Sequence, residues 1–344
     1  MKDKKTVFVL GAGASCPYGY PFGAHLRKLI CLDDGFMKNY KEYLKSNKSG
    51  YSIEKVEQFR TSFDKSSIKS IDFFMANNST LAPVGKYIIA FEVLRAEQRS
   101  SFREKGMQSK LWYSRNCDDP KLDRDFLLRK DYFQGGDWYS YLYNRLIEGL
   151  IGRDALPDFS TGDIAFVTFN YDRSLEHFFY ESLRNSFTEV PEDNIFQSLR
   201  NLKILHVYGQ IAPLKWQDSN EGVDYRPEIS VDLLRRVSSN IRTIYEVQET
   251  RELAEAQNLL KQAGEIFFLG FGFAKENMEV LGLPEVISQN CSVYVTVFEL
   301  RDNEADQIRK RIKTGVKSDT GWQGPLRLEV HNVDCLTLLR DYFG

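Results

Sequence analysis

A short apolar strand that runs into a glycine turn and then a helix opens this chain, and it constrains the fold more than any other feature. Thr6 to Leu10 is β-branched and apolar, Gly11 to Ser15 reads GAGAS, and Phe22 to Ile30 has the pattern of a helix. Glycines allow a sharp turn and a close approach to a phosphate, and a helix N-terminus favours an anion. The segment is therefore typical of a nucleotide-binding βαβ unit.

The glycine turn matches neither common nucleotide fingerprint completely. Cys16 stands where the dinucleotide pattern has its third glycine, and no Gly-Lys-Ser/Thr follows. A tight turn without a ligand is the alternative interpretation. The basic start and the apolar stretch from Val7 to Leu10 also resemble a secretion signal, but that apolar core is short for such a role.

Apolar runs alternate with helical patterns along most of the chain, which predicts a parallel α/β sheet covered on both faces. Between positions 36 and 145 the periodicity is helical and no strand is predicted. We therefore expect a Rossmann-like domain of residues 1–35 and 146–344, interrupted by a helical insertion of residues 36–145. The predicted strands cover residues 6–10, 163–169, 203–209, 265–269, 292–300 and 326–330.

Composition excludes several classes of protein. The formal net charge of -2 gives no general attraction to nucleic acid, and no apolar run is long enough to predict a membrane span. The five cysteines include no CxxC pair, so we predict no metal site and a reducing, cytoplasmic location.

Five of the six predicted strands end in a glycine-rich or polar segment. These segments are GAGAS at 11–15, FNYD at 169–172, HVYG at 206–209, GFGF at 270–273 and FELR at 298–301. Ligands of such sheets bind beyond the carboxyl ends of the strands, so the segments are expected to converge on one crevice.

In their order along the chain, several of these segments resemble sirtuin elements. GAGAS, then Gly19-Tyr20-Pro21, FNYD, the segment from His206 to Gly209 and Leu269 to Gly272 are similar to the sirtuin elements GAGxS, GIPxFR, TQNxD, HG and the later nucleotide loop. FNYDRSLE in particular resembles bacterial sirtuin-like proteins of antiphage defence, which commonly hydrolyse NAD.

The resemblance implies an NAD hydrolase that releases nicotinamide and ADP-ribose and needs no metal. It also implies an antiphage-defence effector, gated by a protein partner in trans or by homo-oligomerisation, because uncontrolled hydrolysis would harm the host. The catalytic residues that it implies are Asn170, Asp172 and His206. The NAD-binding residues that it implies are Gly11, Ala12, Gly13, Ser15, Pro21, Phe22, Tyr208, Gly270, Gly272 and Glu299.

The chemistry of these residue types fits the implied roles. Cleavage of the nicotinamide bond leaves a ribosyl cation with oxocarbenium character. Asn170 can bond the ribose or orient a water, Asp172 can stabilise positive charge, and His206 titrates near neutrality. Glu299 at a strand end is placed to bond the adenosine ribose.

Other interpretations stay open. Asn170 and Asp172 are also residue types that cap helices, and His206 can be a buried core histidine. His206 and Tyr208 are expected on one face of a strand, and either can occupy the family's catalytic position. The paired zinc cysteines of deacylating sirtuins are missing, which disfavours an NAD-dependent protein deacylase, while the altered HG dipeptide allows a sensor that binds NAD or ADP-ribose without turnover.

Overall fold

The computed structural model describes most of the chain. The described residues are 4–46, 50–100, 136–148, 150, 156–247, 250–298, 300–316 and 326–344. Glu299 and much of the second half of the predicted helical insertion lie outside them.

Six parallel strands form one sheet, as predicted. They are β1 Thr6–Leu10, β2 Ile164–Thr168, β3 Lys203–His206, β4 Glu265–Leu269, β5 Ser292–Thr296 and β6 Arg327–His331. Their order across the sheet is β3-β2-β1-β4-β5-β6. This is the order of a doubly wound dinucleotide-binding sheet, and its winding reverses between β1 and β4, where such sheets bind their ligands.

Fourteen α-helices surround the sheet within the described part of the chain. The six between β1 and β2 are α1 Gly23–Leu32, α2 Asp34–Ser46, α3 Ile53–Lys65, α4 Ile71–Ala76, α5 Ala82–Arg99 and α6 Trp138–Ile147. The others are α7 Ser174–Ser186, α8 Glu192–Asn201, α9 Val231–Ser238, α10 Ile244–Val247, α11 Arg251–Gln262, α12 Lys275–Leu281, α13 Asp302–Gly315 and α14 Cys335–Tyr342. The fold is therefore of the Rossmann-like α/β class.

The central strands are buried at every position, because helices cover both faces of the sheet. Successive residues of β1 point to opposite faces: Phe8 stacks between Phe166 and Phe267, at 5.2 and 5.3 Å between ring centroids. Val7 and Val9 pack into the other apolar cluster, which includes α5. The alternation places Phe8 and Phe267 on one face of the sheet and Val7, Val9 and Phe268 on the other.

The elements of regular secondary structure described between β1 and β2 are all helices, and the described part of this segment contains no strand, as predicted. Local signals start several of these helices: the Ser70 hydroxyl accepts from the Phe73 N–H at 3.2 Å and so caps α4. Helix α5 is buried on almost all sides, and Glu92 and Glu97 are among its buried residues. Among the described residues, no helix is long and apolar enough to cross a membrane.

Candidate functional site

The loop after β1 is joined by its backbone to the end of β4. It contains two short 3-10 turns, Ala12–Ala14 and Cys16–Tyr18. The Gly11 N–H donates to the Leu269 carbonyl at 3.0 Å, and the Gly13 N–H donates to the Gly270 carbonyl at 3.1 Å. The Ala14 and Ser15 amides donate within the loop itself. Four backbone N–H groups of this glycine turn are therefore hydrogen-bonded to carbonyl groups of the protein.

This backbone contact explains three of the predicted glycines. A Cβ at Gly11 would lie 2.4 Å from the Gly270 carbonyl oxygen, and one at Gly13 would lie 2.9 Å from the Gly270 Cα. Gly270 has φ of +57°, and its Cβ would lie 2.2 Å from the Ala14 nitrogen. Gly272 differs, since no atom lies within 4 Å of a Cβ built there. Packing between two loops thus requires glycine at 11, 13 and 270, but not at 272.

Asn170, directly after β2, is bonded to this loop. Its side-chain Nδ2 donates to the Gly11 carbonyl at 3.0 Å and to the Ser15 hydroxyl at 2.9 Å. The residue is only 8% exposed, and its Oδ1 is buried without a hydrogen-bond partner among the described residues. A buried, unpaired amide oxygen costs free energy, so it marks a position where a donor group of a ligand would be stabilising.

Asp172 lies two residues further along, just before α7, which begins at Ser174. Its Oδ1 accepts from the Ser174 N–H at 3.0 Å and also from the Ser174 hydroxyl. Burial raises the pKa of Asp172, although hydrogen bonds from Ser174 and Ser15 oppose the rise. Asp172 thus accepts from the first amide of α7 although Arg173 is the N-cap residue, and it also contacts the glycine loop through Ser15.

Both ring nitrogens of His206 are engaged by acceptors of the protein. Nδ1 lies 2.8 Å from the Asn170 carbonyl oxygen, and Nε2 lies 2.7 Å from Glu176 Oε1 on α7. Burial disfavours the charged ring, but the Glu176 carboxylate, the Asn170 carbonyl and the charge of Asp172 together outweigh it, so the pKa of His206 is raised. A carbonyl and a carboxylate are acceptors, so this geometry favours the ring with both nitrogens protonated. In that form His206 holds the backbone of Asn170 and has no free nitrogen to accept a proton.

The side chain of Tyr208 contacts a different helix from the one that His206 contacts. Strand β3 ends at His206, and the chain turns at Gly209, which has φ of +77°. The Tyr208 hydroxyl donates to Asn277 Oδ1 on α12 at 2.8 Å, whereas His206 reaches α7. The shared strand face that the sequence predicts for His206 and Tyr208 is not observed, because the strand is shorter than predicted.

The remaining predicted residues lie around the loop. Ala12 is in the first 3-10 turn, and half-buried Pro21 precedes α1. The Phe22 carbonyl accepts from the Leu26 N–H at 2.7 Å, which places Phe22 at the N-terminus of α1. Glu299 is not among the described residues, so its predicted contact with the ribose stays a prediction.

A buried ion pair next to Asp172 is a feature that the sequence patterns do not predict. Arg173 Nη2 donates to Glu97 Oε1 on α5 at 2.8 Å, and Arg173 Nε donates to Glu97 Oε2 at 3.1 Å. Both side chains are 0% exposed. Arg173 also donates to the Val223 and Asp224 carbonyls at 2.7 and 2.6 Å. A signal existed, since an acidic residue within a long apolar stretch such as residues 87–97 requires a cationic partner when it is buried.

Helix α6 covers the glycine loop. The Trp138 indole N–H donates to the Ala14 carbonyl at 2.9 Å, and Tyr139 stacks on Tyr18 at 3.8 Å between ring centroids. The Tyr139 hydroxyl shares a hydrogen bond with Ser174 at 2.9 Å. The loop, the start of α7 and α6 therefore form one buried polar cluster beside Asn170.

The site thus brings together segments from β1, β2, β3 and β4. Among the residues that the structure describes, no group of three or more His, Cys, Asp or Glu side chains could hold a metal ion. Comparison of the chain with protein-family models, with curated proteins and with solved structures found no match in any of the three. A proposal of function therefore depends on the geometry and on the motifs.

Proposed function

We propose that this protein binds NAD at the carboxyl edge of β1, β2 and β4 and hydrolyses its nicotinamide bond. One observation carries the proposal: the Asn170 amide is fixed against the glycine loop, with its Oδ1 buried and unpaired. The strand order supports it, because dinucleotides bind at the reversal between β1 and β4. The order of the motifs, which resembles that of sirtuin-like NAD hydrolases, supplies the choice of substrate.

In the proposed reaction Asn170 contacts the nicotinamide ribose. Its Oδ1 accepts a hydrogen bond from a ribose hydroxyl, because none of the described residues donates to this oxygen. Cleavage of the bond between the ribose and nicotinamide releases neutral nicotinamide and leaves positive charge on the ribose. A water then forms a bond to C1 of this ribose and releases one proton to solvent. The pyridinium leaving group needs no acid. Asp172, buried beside Ser15, stabilises the developing cation when ionised.

His206 is assigned as a positioning residue in this proposal. Its two hydrogen bonds fix the Asn170 backbone to Glu176 on α7. This differs from the sequence-based hypothesis of a proton acceptor, because both ring nitrogens already face acceptor atoms of the protein.

A second candidate is a sensor that binds NAD or ADP-ribose without turnover. The engagement of both His206 nitrogens and of the Tyr208 hydroxyl favours it, because neither side chain offers a free base to an attacking water. Binding without any nicotinamide release would establish this function in place of hydrolysis.

The experiment measures NAD binding and nicotinamide release for the parent protein, Asn170→Ala and the exposed control Asn194→Ala. The proposal expects the parent and the control to release nicotinamide at the same rate. For Asn170→Ala it expects a rate lower by about tenfold or more, because one hydrogen bond in a buried site is lost. If Asn170→Ala binds and releases as the parent does, the site lies elsewhere.

We propose, finally, that hydrolysis is gated by a protein partner in trans or by self-association, as the resemblance to antiphage-defence proteins suggests. Specific activity should then rise with protein concentration or on addition of the partner. A monomer with full activity at every dilution, unchanged by candidate partners, would refute the gating.

A further inference from the structure

An open cavity of about 740 Å³ lies between α3, α5 and α9, away from the residues of the candidate site. Its lining includes one cationic side chain from each of the three helices: Lys55, Lys86 and Arg235. Three separate segments of the chain therefore direct positive charge toward one space.

The lining of this cavity carries cationic side chains without acidic ones. The described residues that line it include no carboxylate. Glu246, outside the lining, pairs with Lys86 at 2.7 Å between Oε2 and Nζ. Lys55 is exposed, with Nζ 5.8 Å from the centroid of the Tyr51 ring, and Arg235 is exposed on α9. The lining therefore presents three cationic groups to an anion, of which Lys86 already has a carboxylate partner.

The other groups in the lining suit an ester of phosphoric acid. Ser52 and Ser238 add hydroxyl groups to the lining; Ser52 Oγ accepts from the Lys55 N–H as the cap of α3, and Ser238 Oγ donates to the Arg235 carbonyl. Lysine, arginine and hydroxyl groups are the side chains that bind phosphate in proteins. The Tyr51 and Tyr87 rings form a wall suited to an organic moiety.

We propose that this cavity binds a phosphorylated small molecule, held through its phosphate by Lys55, Lys86 and Arg235. The site is separate from the proposed NAD site and does not depend on NAD hydrolysis. A nucleotide and an inorganic polyphosphate share the required chemistry, and the probes distinguish them.

Isothermal titration calorimetry with pyrophosphate and with ATP tests the site. The parent protein is compared with Lys55→Gln/Arg235→Gln and with the matched control Lys310→Gln/Lys313→Gln on exposed positions of α13. The proposal expects binding that weakens with added salt and falls roughly tenfold or more in the first variant only. Tighter binding of ATP than of pyrophosphate would identify a nucleotide site, and equal binding an inorganic one.

Thermal unfolding and circular dichroism of both variants verify that the fold is intact. Asn170→Ala should retain full binding of both probes, which separates this site from the proposed NAD site. The proposal is overturned if neither probe binds at millimolar concentration, if the control variant weakens binding equally, or if only duplex DNA binds.

Discussion

The contact between the loops after β1 and β4 leads to a quantitative prediction for Gly270→Ala. The new methyl group would lie 2.2 Å from the Ala14 nitrogen and 2.4 Å from the Gly13 carbonyl carbon. Both neighbours are backbone atoms, so neither can rotate away as the end of a side chain would. The substitution must therefore displace the loop or the end of β4.

The cost has two parts and one offset. An alanine at φ of +57° costs about 1–2 kcal/mol of free energy relative to glycine. Overpacking against a fixed backbone adds about 1–3 kcal/mol. The reduced entropy of the unfolded chain returns about 0.4–1 kcal/mol. We expect Gly270→Ala to lower the free energy of unfolding by about 1–5 kcal/mol.

Gly272→Ala, two residues away, is the matched control. Its Cβ would meet no atom within 4 Å, so we expect a change within about 0.5 kcal/mol. Urea unfolding followed by circular dichroism gives both values from the midpoint and slope. If Gly270→Ala costs less than about 1 kcal/mol, packing between the two loops does not require glycine at this position.

Three further predictions concern the contacts around the site. Glu97→Gln should lower the free energy of unfolding by about 3–5 kcal/mol in urea titrations, because Arg173 would stay buried without its counter-charge; a neutral effect would contradict this. Trp138→Phe should cost about 1 kcal/mol in the same measurement, through loss of the hydrogen bond to the glycine loop, and an unchanged midpoint would count against that bond. The pKa of His206 is raised by Glu176 in the folded protein, so its stabilisation is complete below the unfolded value of about 6.5 and is lost as pH rises through the folded value. The stability difference between the parent and His206→Gln should therefore shrink as pH increases, and a difference that is constant or grows would refute the charged pair.

The sheet could be predicted from the sequence because each buried strand is a nearly continuous apolar run. β1 and β4 have the predicted bounds, 6–10 and 265–269. The sequence predicts that β3 reaches Gly209, but the strand ends at His206, since the left-handed conformation at Gly209 turns the chain. An apolar run in the sequence shows where a strand lies. The residue at which the strand ends depends on the backbone conformation of the following turn, which is harder to predict from residue types.

The partners of the site residues could not be predicted in the same way. The sequence predicts that Asn170 lies near the glycine loop, and it does so, because both follow neighbouring parallel strands. The contact of Glu176 with His206 is not predictable from the patterns, because it joins a helix to a strand that is distant from it in sequence. The reason for the glycines was also hidden, since Gly11 and Gly270 are far apart in sequence and meet only through the pairing of β1 with β4.

The ion pair between α5 and the start of α7 has a consequence for anyone who shortens this protein. Deleting the helices between β1 and β2 would remove Glu97 together with α5, which packs on one apolar face of the sheet. Arg173 would lose its counter-charge, and the apolar residues beneath α5 would become exposed to water. A truncated version without these helices should therefore precipitate or stay unfolded.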